Sequence, residues 1–138
     1  MRGRTGVALR GSSRVLAILG VGAAVLTGCA GSHEPEVERV ATTFEDPSAD
    51  PQERCDLLIR ATRVAVERSE STPCVEAIQD LPLEGGSVES VEIWGGDAQV
   101  KLSGDTLFLS ETSAGWRVTS AACTPQAEAP YDCEVDGP

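Results

Sequence analysis

The stretch VEIWGGDAQVKLSGDTLFLSETSAGWRVT, residues 91–119, decides the fold. Its apolar residues recur at every second position, the period of a half-buried β-strand whose side chains point alternately to opposite faces. Val91 and Ile93 alternate with Glu92, and Ala98, Val100 and Leu102 alternate with Gln99 and Lys101. Leu107 and Leu109 alternate with Thr106 and Phe108, and Trp116 and Val118 with Arg117 and Thr119. Between these runs stand Gly95-Gly96-Asp97, Ser103-Gly104-Asp105 and Ser113-Ala114-Gly115, whose small and polar residues suit hairpin connections. The spacing predicts a four-stranded antiparallel meander with one apolar face.

That face needs a cover, and the residues before Gly85-Gly86 supply one with a period near 3.6. Val37, Val40, Ala41 and Phe44 predict a first helix over Val37–Phe44, broken by the segment Asp46–Asp50. Asp50 can cap a second helix, Pro51 suits its first position and Glu53 takes the capping-box place. Cys55, Leu58, Ile59, Thr62, Ala65 and Val66 trace its apolar side, and Arg68–Thr72 ends it. Thr72-Pro73 opens a short third helix through Ile78. Helices first and strands after is an α+β layout, with N-terminal helices packed on the meander. The tail from Cys123 to Pro138, with three prolines, reads as a strapped loop.

Farther outward, residues 1–28 carry Arg2, Arg4, Arg10 and Arg14, no acidic residue, and an apolar run from Val15 to Leu26. A basic start, an apolar centre and a small-residue end make an export signal. The run is about a dozen residues, short of the ~20 that span a bilayer. Leu26-Thr27-Gly28-Cys29 reads as a lipobox, with cleavage before Cys29 and acylation of its thiol. Two acyl chains hold durably, at ~0.8 kcal/mol per buried CH₂. The expected organisation is a signal peptide over 1–28, an acylated flexible tether over 29–36 and a single extracytoplasmic domain over 37–138. Its expected place is the outer face of the cell membrane, with the membrane itself as partner through Cys29.

Composition narrows the partners. All 22 acidic residues follow residue 28, against seven of the 11 basic ones, so the processed chain has a net charge of −15. Nucleic acid is excluded as a partner on this ground, because phosphate binding needs clustered Lys and Arg. Five cysteines are odd in an oxidising compartment. Acylation of Cys29 leaves Cys55, Cys74, Cys123 and Cys133, which allow three connectivities; proximity favours Cys55–Cys74 and Cys123–Cys133. A loop of the first size contributes about 3 kcal/mol in the chain-entropy account. A metal site would need C-x₂₋₄-C spacing or paired histidines, and this sequence has neither; no metal or cofactor is expected.

The series Pro73-Cys74, Val91-Glu92-Ile93-Trp94-Gly95, Ala98-Gln99-Val100-Lys101-Leu102, Gly104-Asp105-Thr106-Leu107-Phe108-Leu109, Gly115-Trp116-Arg117-Val118, Cys123-Thr124-Pro125 and Pro130-Tyr131-Asp132-Cys133 resembles a group of small actinobacterial lipoproteins. That group is similar to the NTF2-like superfamily, so the resemblance implies a cone-shaped α+β domain. It carries no activity with it. Enzymes similar to this fold, such as ketosteroid isomerases and polyketide cyclases, place Asp, Tyr or His inside the cone. Here the single histidine, His33, lies in the tether and the single tyrosine, Tyr131, in the tail.

Glu92, between apolar residues of opposite parity, is expected to face solvent or a groove, and is the first carboxylate an enzyme reading would test. Asp97 and Asp105 sit beside glycine and are expected to shape turns rather than to ligate calcium, which needs several oxygens at set spacing. Trp94 and Trp116 are expected to supply bulk to a core poor in aromatics, and Tyr131 to pack the disulfide-closed loop. The expected function is non-enzymatic binding of a small apolar ligand or an envelope protein. The alternatives are an enzyme using a carboxylate in the cone and a structural or accessory envelope subunit. A deep apolar pocket would favour the ligand, buried carboxylates in a deep pocket the enzyme, and a filled interior with an exposed apolar patch the protein partner.

Overall fold

The computed structural model describes residues 30–128 and 130–137. Four helices precede five strands: α1 (Ala30–Glu45), α2 (Pro51–Asp56), α3 (Arg60–Glu70), α4 (Cys74–Ala77), β1 (Val88–Trp94), β2 (Asp97–Leu102), β3 (Thr106–Thr112), β4 (Gly115–Thr124) and β5 (Asp132–Asp136). The strands form one antiparallel sheet in the order β1-β2-β3-β4-β5. The α+β layout and the meander therefore stand, with five strands where four were expected. Among the described residues, no helix is long and apolar enough to cross a membrane.

The inward side chains of the sheet, Ala98, Val100, Leu102, Leu107, Leu109, Trp116, Val118, Ala121 and Val135, are all buried. Val37, Val40, Ala41 and Phe44 of α1 face them and are wholly buried too. Burying each large apolar side chain stabilises the fold by about 1.5–3 kcal/mol, so this helix-on-sheet layer is the principal source of stability.

Three expectations need correction. First, α1 begins at Ala30 rather than Val37, so residues 30–36, expected as a tether, are helical even with Pro35 inside. His33 meets Trp116 edge-on, with ring centroids 6.1 Å apart. That contact with the sheet outweighs the small-residue and proline composition.

Second, the helix expected to run on from Pro51 is broken in two. Asp50 caps α2 as expected, accepting from the N–H groups of Gln52 (2.9 Å) and Glu53 (3.1 Å). At Leu57–Ile59 the chain instead joins the sheet. Val118 donates its N–H to the Leu57 carbonyl (2.8 Å), Ile59 donates to the Val118 carbonyl (3.0 Å), and Leu58 bridges Val118 in parallel. This short bridge covers the part of β4 that β5 leaves unpaired, because β5 pairs only with Ser120–Thr124. An uncovered edge would present unpaired N–H and C=O groups. No glycine or proline marks the break, since its cause is tertiary.

Third, the tail is not only a loop: Cys133 and Val135 point inward from β5, and Val135 is wholly buried. Cys123 stands opposite Cys133 in register, and the two are bonded. Cys55 and Cys74 form the second disulfide, joining α2 to the start of α4. Both pairings follow sequence proximity.

Candidate functional site

The lipobox residues Leu26, Thr27, Gly28 and Cys29 lie outside the described residues. The remaining candidates fall on two sides of the sheet. On the side away from the helices, antiparallel register lines side chains into rows. One row is Trp94, Asp97, Ser110 and Arg117; the next is Glu92, Gln99, Phe108, Ser120 and Asp136. Trp94, expected in the core, is instead 50% exposed here, at the end of the edge strand β1. Its even position puts it in phase with Glu92, and Ile93 takes the inward place. Tyr131 packs edge-on against Phe108, with centroids 5.1 Å apart. Three of the five aromatic side chains thus stand on the open face, while Phe44 and Trp116 are buried. Glu92 is exposed there, as its parity implied, and Asp97 accepts from the Ser110 hydroxyl (2.7 Å).

On the helix side lies a pair of carboxyl groups that sequence reasoning missed. Asp105, expected to shape a turn, is buried at 9% exposure. It accepts from the N–H groups of Ala122 (2.8 Å) and Cys123 (3.0 Å), as well as from Thr106 beside it. Those N–H groups belong to the end of β4 that runs past the start of β3, so the Asp105 carboxylate continues the ladder where the neighbouring strand stops. Buried donors need such partners.

Glu45, the last residue of α1, comes to the same place and is 3% exposed. Its Oε2 accepts from the Gly85 N–H at 3.0 Å, and its Oε1 has no donor among the described residues. Burial first, and then the neighbouring Asp105, push the Glu45 carboxyl up to about 8. At neutral pH it holds a proton. Desolvation disfavours its charged form, and two carboxylates side by side cannot both ionise cheaply. Arg54, also buried, favours the ionised form only modestly, because its Nε donates to the Phe44 carbonyl (2.8 Å).

Glycine makes this convergence feasible. Gly85 takes φ +56°, a left-handed value that aims its N–H at Glu45. Gly104 donates to the Gly85 carbonyl at 2.9 Å, and a Cβ on Gly104 would lie 2.7 Å from that oxygen. The loop before β1 is thus held between the end of α1 and the β2–β3 turn. Two open clefts flank it. One, about 310 Å³, is lined by Thr42, Glu45, Asp46, Glu84 and Gly86 among others; the other, about 220 Å³, includes Glu84, Asp105, Cys123 and Glu134. Asp46 is exposed, and the Ser48 hydroxyl and N–H hold its carboxyl below the usual range.

The only sequence signals at this site are Gly85-Gly86 and Ser103-Gly104-Asp105, each read separately as a break. Neither names Glu45, which continues the hydrophilic side of its helix in sequence. Among the described residues, no group of three or more His, Cys, Asp or Glu side chains could hold a metal ion. The chain matches no known protein family, and no curated protein or solved structure is detectably similar to it.

Proposed function

We propose that this protein is a lipid-anchored extracytoplasmic domain that works by docking an envelope protein on the open face of its sheet. One observation carries the choice of partner. The interior between α1 and the sheet is filled by side chains, while the 50% exposed Trp94 stands on the same uncovered face as the Phe108–Tyr131 pair. Tryptophan and tyrosine are the residues most often found at the energetic centre of protein interfaces. The two clefts are open, and each is lined by three acidic residues, a poor setting for a small apolar ligand.

The sequence resemblance to NTF2-like lipoproteins supports the fold and the compartment. The export signal and lipobox support the compartment, and the two disulfides suit it. The net charge of −15 on the processed chain favours a partner with a basic surface.

A photo-crosslinking residue placed at position 94 in cells tests the docking face. The expected result is a discrete protein adduct from position 94 and none from exposed position 76 of α4. Equal adducts from both positions, or none from position 94, would reject it.

A further inference from the structure

We propose that the edge strand β1 takes a sixth strand from another protein: an extended segment, apolar residues alternating with Lys or Arg, that pairs along Ser90–Trp94. The argument starts from the main chain. Trp94 and Asp97 face each other across the two-residue Gly95-Gly96 turn, so they exchange both of their ladder bonds. Alternation puts Glu92 and Gln99 in the same relation. The next turn agrees. Leu102 donates to the Asp105 carbonyl at 2.7 Å and Ser103 to the Ser87 carbonyl at 2.9 Å, so even positions of β2 bond toward β3 and odd ones toward β1. Val91 and Ile93 therefore aim their N–H and C=O groups away from β2. Among the described residues, no backbone group outside the sheet meets them.

The side chains of β1 are unfinished in the same direction. Ala98, Val100 and Leu102 of the neighbouring β2 are buried, whereas Val88, Val91 and Ile93 are only half-buried at the margin of the core. The fold covers the free length of β4 with Leu57–Ile59, and among the described residues no such bridge reaches β1. The other edge strand, β5, is a poorer host. Its Val135 is already wholly buried, and Asp132, Glu134 and Asp136 stand exposed along it with no exposed apolar residue between them. Such a row of charges deters strand pairing. On β1 the bulge between Val88 and Ser90 limits regular pairing to Ser90–Trp94.

Charge selects the occupant. Glu89 and Glu92 are exposed on β1, and Trp94 is 50% exposed at its end. A residue opposite Glu92 shares its face of the sheet, where Lys or Arg pairs favourably and an acid does not. A cation opposite Trp94 also meets the indole ring. Residues opposite Val91 and Ile93 lie over the margin of the core and must be apolar. A second copy of this chain fits badly, because β1 against β1 brings Glu89 and Glu92 of two chains, each of net charge −11, into one ladder. Main-chain bonds then supply affinity and the alternate side chains supply specificity. The inference deepens the docking reading, on which it rests for a protein partner, by naming the strand that holds that partner.

The test uses the full-length chain in detergent micelles and the peptide acetyl-Thr-Lys-Val-Arg-Ile-Lys-Thr-amide. Fluorescence anisotropy of the labelled peptide measures binding, and NMR measures amide hydrogen exchange. In the free chain the amides of Val91 and Ile93 should exchange faster than those of Glu92 and Trp94, and bound peptide should protect them. N-methylation of the peptide's Val and Ile, whose N–H groups would face β1, should weaken binding roughly 10- to 100-fold. N-methylation of its Arg and second Lys, on the outer edge, should leave binding nearly unchanged. Glu92→Lys should weaken binding, and Glu134→Lys on β5 should not. Equal losses from the two methylation patterns, no binding, or protection of Val91 and Ile93 by self-association alone would overturn the proposal. The methylated peptides are read against the unaltered chain, so the test survives a variant that folds badly. Crosslinking at position 94 answers separately. An adduct without peptide binding keeps the docking reading and overturns strand addition, while peptide pairing without an adduct upholds the edge and rejects docking at the open face.

Discussion

Replacing Glu45 by glutamine should make the protein more stable, and more so as pH rises. The carboxyl moves from an ordinary 4.5 to about 8 on folding. Between those values the folded chain keeps a proton that the unfolded chain has released. Stability therefore falls as pH rises, by about 1.4 kcal/mol per unit. The loss is complete once pH passes about 8, where both states are ionised, and then totals roughly 5 kcal/mol. Against a usual total of about 5–15 kcal/mol, a change of that size brings the fold close to its limit in mild alkali. Glutamine has the same shape, keeps an oxygen for the Gly85 N–H and offers an N–H to Asp105. It does not titrate. The variant should match the parent below pH 4.5 and exceed it by about 3 kcal/mol at pH 7. Urea denaturation at a series of pH values, followed by the fluorescence of buried Trp116, measures the difference. Parallel stability curves for the two chains from pH 5 to 9 would refute the reasoning.

The other expectations are simpler. Changing Cys55 and Cys74 together to alanine should cost about 3 kcal/mol, the chain-entropy value for their separation of 19 residues; an unchanged denaturation midpoint would count against it. Trp116→Ala should cost about 3–5 kcal/mol as a buried aromatic, while Trp94→Ala should stay within about 0.5 kcal/mol and abolish most acrylamide-quenchable fluorescence. Equal losses from the two tryptophans would contradict their placement. Cys29→Ala should end incorporation of a fatty-acid probe, and continued labelling would remove the case for the anchor.

The strands were legible because their signal is local. Leu107 and Leu109 announce a buried face by parity alone, and glycine marks each turn from β1 to β4. The short β5 escaped because only Cys133 and Val135 point inward and prolines stand before it. The break at Leu57–Ile59 left no trace in sequence, since an unbroken helical face runs through Leu58 and Ile59 and the competing partner, Val118, lies some 60 residues later. Size misled at Trp94. Its size argued for the core, but its phase with Glu92 put it outside, and phase was the better guide. Asp105 shows the limit of turn chemistry. The residue does sit in a turn, but its burial follows from the ladder at the far end of β4.

The carboxyl pair joins these observations into an argument about purpose. Asp105 has a structural task, holding the N–H groups of Ala122 and Cys123. Glu45 accepts the Gly85 N–H and shares a hydrogen bond with Asp105, and a neutral amide would serve both equally well. At pH 7 its ionisable carboxyl costs about 3 kcal/mol relative to that amide, about what one disulfide of this loop length contributes. A fold stapled twice can carry that cost. Packing does not require it, because the wholly buried Val37, Val40 and Phe44 already anchor α1. If Glu45→Gln is the more stable chain at pH 7, the fold itself has no need of an acid at position 45.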